Sequence, residues 1–140
     1  MGETAASARA ERLRAIPLLA ELSDESLSHV LDIATEFGVE RGHVLVDRGQ
    51  PGTGLFVLEE GRVSVELPGR AIELGPGEFF GELALLDERA VRTARVSAAT
   101  SVRCLAIRRD DFQRLLTSEP KLALKLLKVL AHRLASAGGD

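Results

Sequence analysis

Phe79-Phe80-Gly81-Glu82-Leu83-Ala84-Leu85-Leu86, followed shortly by Arg92-Thr93-Ala94, is the stretch that decides how this chain is read. Two aromatic residues suit the end of a strand. Gly81 has no Cβ, so the backbone there can approach a bound group closely. Glu82 to Leu86 are good helix formers, which predicts a short helix opening just past the glycine. A helix start presents unpaired N–H groups and a partial positive charge, which favour phosphate. Glu82 in that first turn agrees with the dipole, but a carboxylate does not bind phosphate; it suits ribose hydroxyls as an acceptor. Arg92 supplies a permanent cation whose fork of donors grips phosphate oxygens. A ribose acceptor, a backbone cradle and a cation in one segment fit a sugar phosphate. The competing reading makes Glu82 a surface residue and Arg92 one arginine among several, since Arg89 and Arg95 flank it. The joint spacing of glycine, glutamate, apolar helix and Arg-Thr-Ala favours the site.

Residues Phe80 to Ala94 resemble the phosphate-binding cassette of the cyclic nucleotide-binding domain family, of the catabolite activator protein and protein kinase regulatory subunit type. The family pattern is filled here by Phe80, Gly81, Glu82, Leu83, Ala84 and Leu85, then Arg92, Thr93 and Ala94. The resemblance implies that Glu82 and Gly81 hold ribose, and that Arg92, Thr93 and the backbone at Leu83 and Ala84 hold the cyclic phosphate. It also implies that the ligand is cAMP or cGMP. Thr93 is compatible with cGMP, while cAMP is the default for a bacterial-looking sequence. Polar base contacts from the last helix would fall near Ala137 and Gly138, which cannot supply them.

Composition sets the frame. A chain of 140 residues fits one domain with one real core. A net charge of -3 gives no electrostatic reason to expect nucleic-acid or membrane binding. The one cysteine, Cys104, lies in the apolar run Val102–Ile107 and reads as a buried small hydrophobe. No apolar stretch reaches bilayer length, and the N-terminus lacks a signal-peptide core, so a cytoplasmic protein is expected.

Taken in order, the chain predicts a mainly β fold with flanking helices: an antiparallel β-roll, a jelly-roll-like double-stranded β-helix. The expected division is a helical segment over 1–34, the roll over 35–108 with the cassette at 79–94, and C-terminal helices over 109–137. Ala8 to Ala15 can be helical before Pro17, and Ser23 caps a helix from about Asp24 to Ala34. Short strands follow at Val44–Val46, Leu55–Leu58, Val63–Leu67, Ala71–Leu74, Arg95–Ala98 and Val102–Ile107. Leu67-Pro68-Gly69-Arg70 predicts a type II turn and a tight hairpin. Gly49 to Gly54 looks like a phosphate loop, but a strand follows it and no lysine is present, so it reads as a strand connection. A short helix around Arg109–Leu116 precedes one opening at Pro120 and running to about Ala135. In this last helix Leu122, Leu124, Leu126, Leu127, Val129, Leu130 and Leu134 cover more arc than one neighbour requires. The excess suggests a second partner, such as a homodimer through this helix. Arg133 lies within that arc and is a candidate to reach the ligand; the simpler reading is an arginine snorkelling at a helix end.

Two other functions compete with a nucleotide sensor whose last helix moves. One is a β-roll interaction scaffold with no ligand, which loss of Glu82 or Arg92 would have signalled. The other is a metal-dependent jelly-roll enzyme. His29, His43 and His132 are scattered over separate elements, so no metal site can be assembled from them. No nucleophile and base pair appears either, and a non-enzymatic reading follows. The sequence stops at Ala135 to Asp140, where glycines end the last helix, so no direct DNA binding is expected of this chain. The effector the domain acts on is not written in the sequence.

Overall fold

Side chains along Gly54–Glu60 alternate between two hydrophobic environments, and that alternation organises the molecule. The computed structural model describes residues 5–47, 49, 54–81 and 94–137. Its strands are β1 (Ala34–Val39), β2 (Val44–Val46), β3 (Gly54–Glu60), β4 (Val63–Leu67), β5 (Arg70–Leu74), β6 (Phe79–Phe80), β7 (Arg95–Ala98) and β8 (Val102–Arg108). They form two four-stranded antiparallel sheets, β1-β8-β3-β6 and β2-β7-β4-β5. Leu55 and Val57 of β3, with Leu105 and Ile107 of β8, face the helices. Leu58 of β3 and Cys104 of β8 point the other way, onto Val63, Val65 and Val96 of the second sheet. Period-two geometry thus builds one core between the sheets and a second beneath the helices. The mainly β roll with flanking helices is what the sequence predicts.

The helices are α1 (Ala5–Arg14), α2 (Asp24–Ile33), α3 (Arg109–Ser118) and α4 (Pro120–Ala137). Ser23 caps α2, its side-chain oxygen accepting from the Ser26 N–H at 3.1 Å, with Asp24 and Glu25 in the first turn. Such a cap stabilises by about 1 kcal/mol. Leu27 and Val30 then bury the inner face of α2. The chain passes from α2 straight into β1, a strand the sequence did not single out. All six residues of β1 pair with β8, Phe37 opposite Cys104.

The hairpin of β4 and β5 closes where the sequence places it. Leu67 faces Arg70, and Gly69 has φ +78, the left-handed value a type II turn needs at its second central residue. Of the stretch expected to connect strands, residues 50–53 lie outside the described ones, and Gly54 opens β3. A Cβ on Gly54 would run into the Ile107 carbonyl of β8, so close backbone approach explains that glycine.

Along α4, Leu122 and Leu126 are fully buried while Val129 and Leu130 pack half-buried against the same core. Leu124 and Leu127 are exposed, at 54% and 61%. The wide apolar arc is therefore divided between the core and solvent. Among the described residues, no helix is long and apolar enough to cross a membrane.

Candidate functional site

The site is approached along β6, which is only two residues long. Strand alternation sends Phe79 into the core beneath the helices and Phe80 into the core between the sheets. Phe80 sits opposite Phe56 of β3, the rings stacked with centroids 5.1 Å apart. Phe37 of β1 meets Phe56 edge-on at 6.1 Å. Offset and edge-to-face contacts of this kind hold aromatic residues in fixed places. The backbone is thereby pinned on both faces immediately before Gly81. Gly81 has φ +92, a conformation that glycine adopts without the clash a Cβ would bring. At the far end of the segment, Ala94 is half-buried against the core between the sheets, and Val96 of β7 is buried in it.

Of the residues expected to hold a sugar phosphate, Phe80, Gly81, Ala94 and Arg133 are described. Glu82, Leu83, Ala84, Arg92 and Thr93, with the short helix expected after Gly81, lie outside the described residues. What is visible is the frame. Gly81 continues from the edge strand of one sheet, and Ala94 leads into an inner strand of the other. Arg95, which flanks Arg92 in the sequence, is ion-paired with Asp47 at 3.0 Å. The Asp47 hydrogen bond and charge raise the Arg95 guanidinium further above its already high range.

Arg133 lies neither free in solvent nor at the helix end alone. Its Nη2 donates to the Phe79 carbonyl oxygen at 2.7 Å, and its guanidinium carbon stands 4.3 Å from the centre of the Phe79 ring. Both contacts reach the strand that opens into Gly81. The sequence singled out Arg133 but missed its seat. The available signal was the pair of consecutive aromatics: one of them had to face the helices.

Cys104 is fully buried, and burial pushes its thiol up to about 12, so it stays neutral and packs as a hydrophobe. His29, His43 and His132 are all exposed and lie on or beside three different elements. Among the described residues no group of three metal-binding side chains comes together.

The family model of the cyclic nucleotide-binding domain matches residues 37–119, more than half of the chain, from β1 through α3. The chain belongs to the cyclic nucleotide-binding domain family. A cyclic nucleotide-gated potassium channel of Mesorhizobium japonicum is 39% identical to this domain over 123 residues, covering 88% of the chain and 34% of the channel. A cAMP-dependent protein kinase regulatory subunit of Aspergillus fumigatus is 34% identical over 107 residues, covering 74% of the chain and 26% of the subunit. The crystal structure of Thermus thermophilus catabolite activator protein superposes with a TM-score of 0.76 at 32% identity, over 87% of this chain and 60% of that one. The chain spans about a third of the length of the curated relatives it matches first. The domain is a cyclic nucleotide-binding regulatory domain. None of these likenesses supports a β-roll scaffold without a ligand.

Proposed function

We propose that this domain senses a cyclic nucleotide through the segment 80–94 and reports it through α4. In this reading the cyclic phosphate is held by Arg92, Thr93 and the backbone at Leu83 and Ala84, and the ribose by Glu82 and Gly81. The observation that carries the proposal is the Arg133 contact with Phe79, two residues ahead of Gly81. A change in how the chain leaves β6 is felt directly by the last helix. Binding then shifts α4 only to the extent that the nucleotide prefers one helix position over another. The proposed role of Arg133 is therefore to join α4 to the mouth of the site, from which it can also reach a bound base. The domain does no chemistry of its own in this reading; its output passes to an effector protein or a covalently linked effector domain.

cAMP is the proposed ligand. Thr93 is compatible with guanine, but Ala137 and Gly138, where the family resemblance puts the base contacts, have no polar side chain that would select it. We also propose a second copy of the chain as a partner, met through Leu124 and Leu127 of α4. Calorimetric titration of the domain with cAMP and with cGMP tests the reading. Arg92→Ala is expected to weaken cAMP binding by about 2–3 kcal/mol, roughly 30- to 150-fold, the scale of a lost charge-assisted pair. Equal affinities of the variant and the native chain would remove the mechanism.

A further inference from the structure

A single residue, Glu119, stands between α3 and α4. Pro120 follows it, and a proline keeps the residue before it out of the helical region; Glu119 accordingly has φ -127 and ψ 80. Both of its backbone groups are committed. Its N–H donates to the Leu115 carbonyl at 2.9 Å, closing α3. Its carbonyl accepts from the N–H groups of Leu122 and Ala123, at 3.0 and 3.2 Å, opening α4. Only the side chain is left to tie this joint to another element, and it reaches α2. The Ser26 hydroxyl, 93 positions back along the chain, donates to Glu119 Oε2. Among the described residues Ser26 is the one polar side chain that is buried. The Ser23 hydroxyl donates in turn to Ser26 Oγ at 3.1 Å, while the Ser26 N–H donates to Ser23 Oγ. The cap of α2 and the joint between α3 and α4 thus share one chain of hydrogen bonds, each polarising the next. The carboxylate lies at the first turn of α2, the end that a helix dipole favours for an anion.

We propose that Ser26, acting through Glu119, is a positioning residue that fixes the start of α4, so that this helix answers a nucleotide by swinging about Glu119 rather than by sliding. The proposal rests on the reading of α4 as the reporting helix.

The attachments of α4 are uneven along its length. Near its start Leu122 and Leu126 are buried in the core beneath the helices, with Leu27 of α2 and Leu115 of α3. Lys125 faces Glu21 at 3.3 Å, an exposed pair that contributes little by itself. Towards the far end, Arg133 donates to the Phe79 carbonyl at 2.7 Å, and Ala131, His132 and Ala135 around it are exposed. At 1.5 Å per residue Arg133 lies about 21 Å from Glu119, so a swing of roughly 10° about the joint carries it about 4 Å. That makes or breaks its hydrogen bond. Leu122, three residues from the joint, moves by less than about 1 Å in the same swing and keeps its packing. A slide of equal length would drag Leu122 and Leu126 through a close-packed core. The swing therefore needs a joint that stays where it is. Removing the Ser26 hydroxyl leaves the Glu119 carboxylate to water and frees the joint to shift with the helix.

The test compares amide hydrogen exchange in the full native chain, Ser26→Ala, Glu119→Ala, their double variant and Glu119→Gln. Ser26→Ala keeps the N–H that Ser23 caps, so α2 should hold. Protection of the amides from Ala123 to Leu127 is expected to fall at least about fivefold in Ser26→Ala relative to α3 and β8. Glu119→Ala also takes a favourable charge from the start of α4, so the double variant decides, and it should be no less protected than Glu119→Ala alone. Glu119→Gln keeps an acceptor oxygen and should stay within about twofold of native protection. Saturating cAMP is then added. In the native chain protection should change around Arg133 and hold from Ala123 to Leu127; in Ser26→Ala the change should spread to both. The proposal is overturned if Ser26→Ala leaves the start of α4 as protected as in the native chain, or if it lowers α3 and β8 alike, which would make the contact one of stability only. It is equally overturned if the losses of the two single variants add in the double, or if cAMP shifts the start and the end of native α4 together. Should cAMP alter protection nowhere along native α4, the reporting role of that helix falls and the swing with it, while the comparison without nucleotide still decides whether Ser26 fixes the joint.

Discussion

Arg133 joins a cation to a carbonyl and to a ring in one place. Its guanidinium is half-buried, so the hydrogen bond to Phe79 and the ring contact are only partly screened. Discounted for that exposure, Arg133→Ala should lower stability by about 1–2 kcal/mol. That is a fall of a few degrees in Tm for a chain of this size. Cyclic nucleotide affinity should fall severalfold as well, because α4 no longer rests on the strand that leads to Gly81. Arg133→Lys restores the charge but not the flat, forked geometry, and should recover only part of both losses. Thermal melts and calorimetry on the two variants read this directly; an alanine variant with native affinity would make the contact a structural one only. The position of Arg133 in the apolar arc was legible from helical spacing. Its partner, in a strand far back along the chain, was not, because no local pattern encodes which ring a helix will cover. Gly81 was read as a glycine for close approach of a bound group; its φ +92 is a second, backbone reason that the sequence reading did not give. Glu119 is a third kind. In sequence it looks like a surface residue ahead of a proline, and only the fold brings Ser26 to it.

Elements were readable where local chemistry decides them. Pro68-Gly69 fixes its own turn, Ser23 caps its own helix, and both stand where expected. β1 was passed over because Thr35-Glu36-Phe37-Gly38 mixes one aromatic with a charge and a glycine, a weak strand signal. Its order comes from full pairing with β8, a tertiary cause. α1 begins at Ala5, ahead of the predicted Ala8. The pairing of β3 with β8 is the seam on which the helix-side sheet depends, and it yields a sharp prediction. Gly54→Ala places a methyl group against the Ile107 carbonyl, a backbone atom in mid-sheet that cannot swing aside. The variant should lose about 1–3 kcal/mol, the range for forcing atoms into a packed site. Gly69→Ala has open space around it but keeps the φ +78 strain, and should lose no more than about 1 kcal/mol. Urea midpoints of the pair should rank in that order; the reverse ranking would mean the seam yields more easily than the turn.

At the scale of the whole molecule, α4 presents the surface with no occupant among the described residues. Leu124 and Leu127 stand out by half or more while Leu122 and Leu126 of the same helix are buried. A second copy would offer the same stripe, and a two-fold contact pairs it with itself. Burying a leucine fully yields about 1.5–3 kcal/mol, and these are already partly covered. Association itself costs at least about 4 kcal/mol. The balance points to a weak dimer, populated only at high protein concentration. Lys121 and Lys128 are exposed beside the stripe, so two copies bring like charges together. Screening relieves that repulsion, and the dimer should tighten as salt is added, the reverse of an interface held by ion pairs. Sedimentation equilibrium across the micromolar to millimolar range, at low and high salt, measures both effects. Leu124→Glu combined with Leu127→Glu should leave a monomer throughout and an unchanged thermal melt, since neither side chain supports the core. A mass that stays monomeric at millimolar concentration and high salt would leave the outward leucines without the partner assigned to them.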